Sequence, residues 1–197
     1  MGAPQEYFNY GSLMLEMAAR LKVNTIRDYV YRLFELRTSP NGVFAFKGHW
    51  YHFRFVAGAG LLRFFPGLRF IHIERRDRLA QAVSAAKKQQ TKQSTSMTHP
   101  SQRRPVYDRG TIQRALARFE YETVQWNAMF RRSGIEPVRV VYESLVADPD
   151  AIVDDILRRF GFTRDPACYV EVPRLERLSD SVNSEWIERF RRETATP

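Results

Sequence analysis

An arginine and a serine on either side of a predicted helix start have the types and spacing to hold a phosphate group. Arg75 lies two residues beyond an apolar segment that ends at Ile73, and Ser84 lies on the polar stripe of the helix that Asp77 is predicted to cap. An arginine fork with a hydroxyl near a helix start can bind a phosphate dianion. The alternative is a solvated helix face on which Arg75 pairs with Glu74 and Asp77. The pattern alone leaves both interpretations open.

Other side chains that could do chemistry are sparser. His49 and His52 lie one helical turn apart, but no cysteine or carboxylate is near them in sequence, so we predict no metal site. The sequence contains no Walker-type phosphate loop and no nucleophile-elbow serine. Glu6, judged from its position alone, is an ordinary exposed acid near a chain terminus.

The predicted helices and strands that would position these side chains alternate along the chain. Short apolar runs predict buried strands, and apolar residues at helical spacing predict helices. The strands are predicted at 43–46, 69–73 and 137–142, and the helices at 26–36, 50–65, 77–86, 112–130 and 148–160. Residues 91–109 are polar and aperiodic and are interpreted as a mobile surface loop. The alternation predicts an α/β fold, a parallel sheet covered by helices on both faces.

Two of the three predicted strands are followed by cations. Lys47 follows the first strand, Arg75 and Arg76 follow the second, and Tyr142 and Glu143 follow the third. Ligands of open α/β sheets bind outside the carboxyl ends of the strands. This placement favours a phosphate-bearing ligand over bulk nucleic acid.

The charge of the chain is concentrated in the same region. The formal net charge is +9, and residues 47–104 hold twelve Lys and Arg against two acids, so the whole excess lies there. Such clustering indicates an anionic partner at one place, which could be a nucleotide, nucleic acid or acidic lipid headgroups.

Length and composition limit the class of protein. A chain of 197 residues with 44% apolar and 13% aromatic content can bury a core, and we predict one domain. The single cysteine, Cys168, excludes an internal disulfide framework and favours a reducing, cytoplasmic location. The longest uncharged apolar run, 55–62, is too short to cross a membrane, and no signal peptide is expected.

The segment from Ile73 to Ser84, IERRDRLAQAVS, resembles the strand–loop–helix of the bacterial trehalose sulfotransferase family. The resemblance continues at 2–8, 39–50, 142–145 and 176–186, in the same order and spacing, over nearly the whole chain. It implies a P-loop-NTPase-like sulfotransferase fold and a possible homodimer. It also implies sulfuryl transfer from 3′-phosphoadenosine 5′-phosphosulfate (PAPS) to a hydroxyl of a trehalose-like sugar. PAPS would be a cosubstrate, with no permanently bound cofactor and no metal.

The resemblance assigns roles on the acceptor side to residues near the start of the chain. Glu6 matches the family's proposed general base, which would take the proton of the attacking sugar hydroxyl. Gln5 and Lys47 are expected to orient the substrate. We expect partial burial beside Tyr7 and Phe8 to raise the pKa of Glu6 and make it a better base.

On the donor side, the resemblance favours a phosphate-binding role for Arg75 and Ser84 over a solvated helix face. Both match positions that sulfotransferases use for the 3′-phosphate of the donor. Arg177, together with Asp180, matches a C-terminal segment that closes over the site, and Arg177 is expected to contact the donor.

The sequence departs from the family at its start. Family members begin with a strand and a Ser/Gly/Thr-rich loop for the 5′-phosphosulfate, whereas only three residues precede Pro4 here. Leu178 also replaces a commonly polar residue. We expect one sulfotransferase-like domain over 1–197 that is N-terminally incomplete. The alternatives are a non-catalytic remnant that binds 3′-phosphoadenosine nucleotides and, less favoured, a nucleic-acid-binding protein.

Overall fold

The chain divides into two compact units, Met1–Arg69 and Phe70–Pro197. The computed structural model describes residues 4–91, 104–164 and 181–195. The single domain expected over 1–197 stays a prediction. In these described ranges, no helix has the length and apolarity to cross a bilayer.

The first unit is helical. It contains α1 (Ser12–Leu21), α2 (Ile26–Arg37), α3 (Trp50–Gly58) and a 3₁₀ turn (Leu61–Phe64). The helix predicted at 26–36 is therefore confirmed. The predicted 50–65 helix is shorter, because Gly60 adopts a left-handed conformation (φ +66°) that ends α3 and leads into the 3₁₀ turn.

Aromatic side chains build the core of the first unit. Tyr7 and Phe8 are fully buried, and Phe8 contacts Phe46 edge-to-face with ring centroids 4.9 Å apart. The Tyr29 hydroxyl donates to the carbonyl of Tyr7 at 2.8 Å, so α2 holds the chain just beyond Glu6. Burial of large aromatic rings with a satisfied hydroxyl stabilises such a core strongly.

The strand predicted at 43–46 is wrong. These residues form no regular secondary structure, although their phenylalanines pack into the core as expected for a buried run. The carbonyl of Val43 accepts from Ser39 N–H at 3.0 Å, which closes a turn, and Lys47 N–H donates to the carbonyl of Gln5 at 2.9 Å. These are a turn bond and an isolated bridge, so the segment does not make the repeated bonds of a ladder.

The second unit contains a small parallel sheet and five helices within the described ranges. The strands are β1 (Ile71–Glu74) and β2 (Val138–Val141), paired in register from Ile71 opposite Val138 to Glu74 opposite Val141. The helices are α4 (Arg78–Thr91), α5 (Arg109–Arg132), α6 (Tyr142–Ala147), α7 (Pro149–Arg159) and α8 (Ser181–Ala195), with α6 entering directly from β2.

Three helices of the second unit begin at an aspartate whose side chain accepts a backbone N–H of the first turn, as strong N-caps do. Asp77 accepts from Ala80 at 2.8 Å, Asp108 from Thr111 at 3.1 Å, and Asp148 from Ala151 at 3.0 Å. The predicted helix starts at 77 and 148 are therefore confirmed.

The core of the second unit lies between α4, α5 and α8. Ala82, Val83 and Ala86 of α4 are buried and belong to one cluster with Ile112 and Trp186. Trp186 is 3% exposed and is a core residue of α8. Small residues along α4 let neighbouring helices approach closely, and this fixes the helix that carries Ser84.

The sheet is held by a separate apolar cluster. Val138 and Val140 of β2 are buried with Ile156 of α7. The α/β class and the parallel pairing of the 69–73 and 137–142 segments are confirmed, with a sheet of two strands in the described residues. Helices over both faces of a larger sheet, and a P-loop-like arrangement, stay predictions.

Part of the predicted 91–109 loop lies outside the described residues, namely 92–103. Thr91 is the last residue of α4, and residues 104–108 lead into α5 without regular secondary structure.

Candidate functional site

Glu6 lies beside two basic side chains of the first unit. The Lys47 Nζ is 3.1 Å from a Glu6 carboxylate oxygen, and the His49 Nε2 is 3.7 Å from the same oxygen. The backbone bond from Lys47 N–H to the carbonyl of Gln5 joins the two segments and so brings these groups together. The Gln5 side chain itself is exposed. Glu6 is 24% exposed, whereas Lys47 is 67% exposed.

The expectation that burial makes Glu6 a stronger base is wrong. Burial does raise the pKa of Glu6, but the hydrogen bond and positive charge of Lys47, with further contributions from His49 and His52, outweigh it and lower the pKa below its ordinary value. Glu6 is therefore ionised at neutral pH. It is ready to accept a proton, but only from a group that has become strongly acidic.

His52 is fully buried near the Glu6 carboxylate. Its Nδ1 accepts the backbone N–H of His49 at 3.1 Å, which places the proton of the neutral ring on Nε2. Burial lowers the pKa of His52 and keeps the ring neutral. Among the described residues, no group of three metal-ligating side chains forms a metal site, here or elsewhere.

Arg75 lies in the loop that joins β1 to α4 in the second unit. Its guanidinium carbon is 3.7 Å from the centre of the Tyr142 ring, a close cation–π contact. The pairing with Glu74 and Asp77 that a solvated helix face would require is not what the structure has. Glu74 instead pairs with Arg139 at 2.6 Å, and Asp77 caps α4.

The same loop is held through its backbone by Glu143. The Glu143 carboxylate accepts from Arg76 N–H at 3.1 and 3.2 Å and lies 3.4 Å from Asp77 N. The bond from Arg76 N–H is the main reason that the pKa of Glu143 lies below its ordinary value. The sequence placed Tyr142 and Glu143 at a strand end but assigned them no role. Their position directly after a strand parallel to β1 is the sequence feature that could have indicated a contact with the Arg75 loop.

Ser84 lies further along α4 and is half-buried. Gln81, one turn earlier, is also half-buried, and its side-chain oxygen has no hydrogen-bond partner among the described residues. The structure therefore places Arg75 and Ser84 on one loop–helix element, as the sequence predicted. Arg177 and Asp180 lie outside the described residues.

Comparisons with known proteins find related sequences over a region that includes the Arg75 loop and α4. The model of the Stf0 sulphotransferase family matches residues 51–193. A trehalose 2-sulfotransferase of Mycobacterium tuberculosis is 32% identical over 127 residues, which cover 63% of this chain and 46% of that protein. A trehalose 2-sulfotransferase of Mycolicibacterium smegmatis is 29% identical over 183 residues, covering 85% and 66%. The chain thus spans about half to two thirds of the length of these curated relatives.

Proposed function

Because the chain belongs to the Stf0 sulphotransferase family, we propose that it transfers a sulfuryl group from PAPS to a hydroxyl of a trehalose-like sugar. The donor, the acceptor and the activity of the whole protein are all parts of this proposal. A homodimer and a cytoplasmic location, indicated by the resemblance and the composition, belong to it as well.

The observation that carries the proposal is the arrangement of Arg75 within the matched region. The family match includes Arg75, Ser84, Tyr142 and Glu143. Arg75 is half-buried, lies against an aromatic ring and is not used in an ion pair among the described contacts. A guanidinium held in this way presents N–H donors suited to a phosphate dianion, here the 3′-phosphate of the donor.

The proposed reaction moves one sulfuryl group and one proton. The sugar oxygen forms a bond to sulfur while the bond from sulfur to the 5′-phosphate oxygen breaks, and 3′,5′-adenosine bisphosphate leaves with that electron pair. The proton of the sugar hydroxyl passes to Glu6 and then to solvent. As in phosphoryl transfer, the hydroxyl becomes strongly acidic only as its bond to sulfur forms.

Glu6 suits such a late proton transfer. Lys47 keeps the carboxylate ionised at neutral pH, so no prior deprotonation of the enzyme is needed. Its lowered pKa limits its strength as a base, but a late proton transfer needs only a correctly placed acceptor. The family match begins after Lys47, so this role depends on the resemblance and on the contacts of Glu6 rather than on that match.

Two measurements on the same protein test the proposal. Incubation with PAPS and trehalose should give a sugar whose mass has increased by one SO₃, and calorimetry should detect binding of 3′,5′-adenosine bisphosphate. Arg75→Ala should abolish nucleotide binding. Arg76→Ala is the matched control, because it removes the same charge from an exposed neighbour and keeps the backbone N–H.

The outcomes separate the candidate functions. Sulfated sugar together with Arg75-dependent binding supports the sulfotransferase. Arg75-dependent binding without transfer to any sugar supports a nucleotide-binding protein that lacks the activity. Equal binding by the wild type and Arg75→Ala would exclude Arg75 as the phosphate ligand.

A further inference from the structure

We propose that Glu143 is a positioning residue that fixes the loop carrying Arg75, so that the Arg75 guanidinium rests on Tyr142 and faces the donor phosphate. This inference rests on the proposed function, since it concerns the residue that would hold the phosphate. Glu143 itself acts through the backbone of the loop and does not touch the donor.

The sheet register places Glu143 where it can do this. Glu74, the last residue of β1, lies opposite Val141, the last residue of β2, because the two strands are parallel. Both chains therefore leave the sheet at the same edge, one into the Arg75 loop and the other into α6. The Glu143 carboxylate then spans the gap to Arg76 N–H at 3.1 Å.

The carboxylate occupies donors that an anion would otherwise use. Backbone N–H groups ahead of a helix attract anions, and those of Arg76 and Asp77 are directed at Glu143. A phosphate at this loop must therefore be bound mainly by side chains, with Arg75 as the first of them. Since Tyr142 covers one face of the guanidinium at 3.7 Å, its N–H donors remain available at the edge.

Electrostatic repulsion alone predicts that removing Glu143 strengthens nucleotide binding, whereas a positioning role predicts that it weakens binding. The direction of the change in Kd therefore tests the inference. A carboxylate near a phosphate site repels the ligand, so removing it should tighten binding if only Coulomb interactions matter. If Glu143 fixes the loop, its removal frees Arg75 and weakens binding. We expect the Kd for 3′,5′-adenosine bisphosphate to rise about tenfold in Glu143→Ala. The Kd of Glu143→Gln should lie between those of the wild type and Glu143→Ala, because its amide oxygen still accepts one N–H.

Three controls restrict the effect to Arg75. Glu136→Gln removes an exposed acid of the same unit and should leave Kd nearly unchanged. In an Arg75→Ala background, Glu143→Ala should change any residual binding little, since its effect passes through Arg75. Amide hydrogen exchange at Arg76 and Asp77 should accelerate in Glu143→Ala, and this readout needs neither ligand nor activity.

The results distinguish this inference from the proposed function. If the wild type binds the nucleotide and Glu143→Ala binds it equally well or more tightly, the positioning role is overturned and the proposed function stands. Absence of wild-type binding overturns both. Unchanged exchange at Arg76 and Asp77 overturns the positioning role by itself, and a folded Glu143→Gln keeps the test decisive if Glu143→Ala does not fold.

Discussion

At the scale of single residues, two opposing effects act on the Glu6 carboxyl group. Burial favours the neutral acid, and the Lys47 ammonium at 3.1 Å favours the carboxylate. The carboxylate is favoured overall, so the folded pKa lies below the unfolded value. The ionised group therefore stabilises the protein at neutral pH, and this stabilisation is lost as the pH falls through the folded pKa of Glu6.

Lys47→Met should raise the pKa of Glu6, because it removes the hydrogen bond and charge that lower the pKa while burial remains. The measurement is an NMR titration of the Glu6 side-chain carboxyl carbon. Arg54→Met, on the exposed face of α3, removes one positive charge without a contact to Glu6 and should leave the titration unchanged. An unaltered Glu6 titration in Lys47→Met would show that Lys47 does not control the carboxylate.

The sequence indicated Glu6 and Arg75 as candidate site residues but not the side chains that contact them. Glu6 was identified through the resemblance, but Lys47 is distant in sequence and is brought close by a single backbone bond to Gln5. Arg75 was identified too, and its sequence neighbours suggested ion pairs. Its actual contact, Tyr142, depends on the register of two strands, which short-range patterns do not contain.

At the scale of elements, apolar runs identified burial more reliably than strand pairing. The 43–46 run packs its phenylalanines into the core as predicted, yet it is not a strand, because ladder bonds require a neighbouring strand. The α1 helix was not predicted, although Met14, Met17 and Leu21 have helical spacing and pack on the core of the first unit. Leu15 is 69% exposed, while Met14 and Met17 pack on the core.

The start of α4 gives a prediction at this scale. Asp77→Ala removes the side chain that accepts Ala80 N–H at 2.8 Å, and the free energy of unfolding should fall by about 1 kcal/mol. Asp77→Asn should keep most of the stability, because an amide oxygen also caps helices. Urea denaturation measures both changes. Glu120→Ala, at an exposed position of α5, is the control and should alter stability little. A loss no greater than that of the control would mean that the cap does not hold α4.

At the scale of the whole molecule, the distribution of charge suggests a small anion more than a polyanion. The excess of positive charge lies within 47–104. Two cations that follow predicted strand ends have specific contacts, Lys47 with Glu6 and Arg75 with Tyr142. Neither contact belongs to a row of exposed aromatic side chains such as single-stranded nucleic acids stack on.

Salt dependence distinguishes the two kinds of partner. A surface that contacts 6–10 nucleic-acid phosphates loses roughly 10³–10⁵ in affinity between 50 and 200 mM salt. A nucleotide held at one phosphate site releases few condensed ions, so its Kd should rise less than about tenfold over the same range. We expect this shallow response for 3′,5′-adenosine bisphosphate, its loss in Arg75→Ala, and no displacement of the nucleotide by duplex DNA at 150 mM salt (about physiological). Tight duplex binding with a steep salt slope that persists in Arg75→Ala would instead establish a nucleic-acid surface on the basic segment.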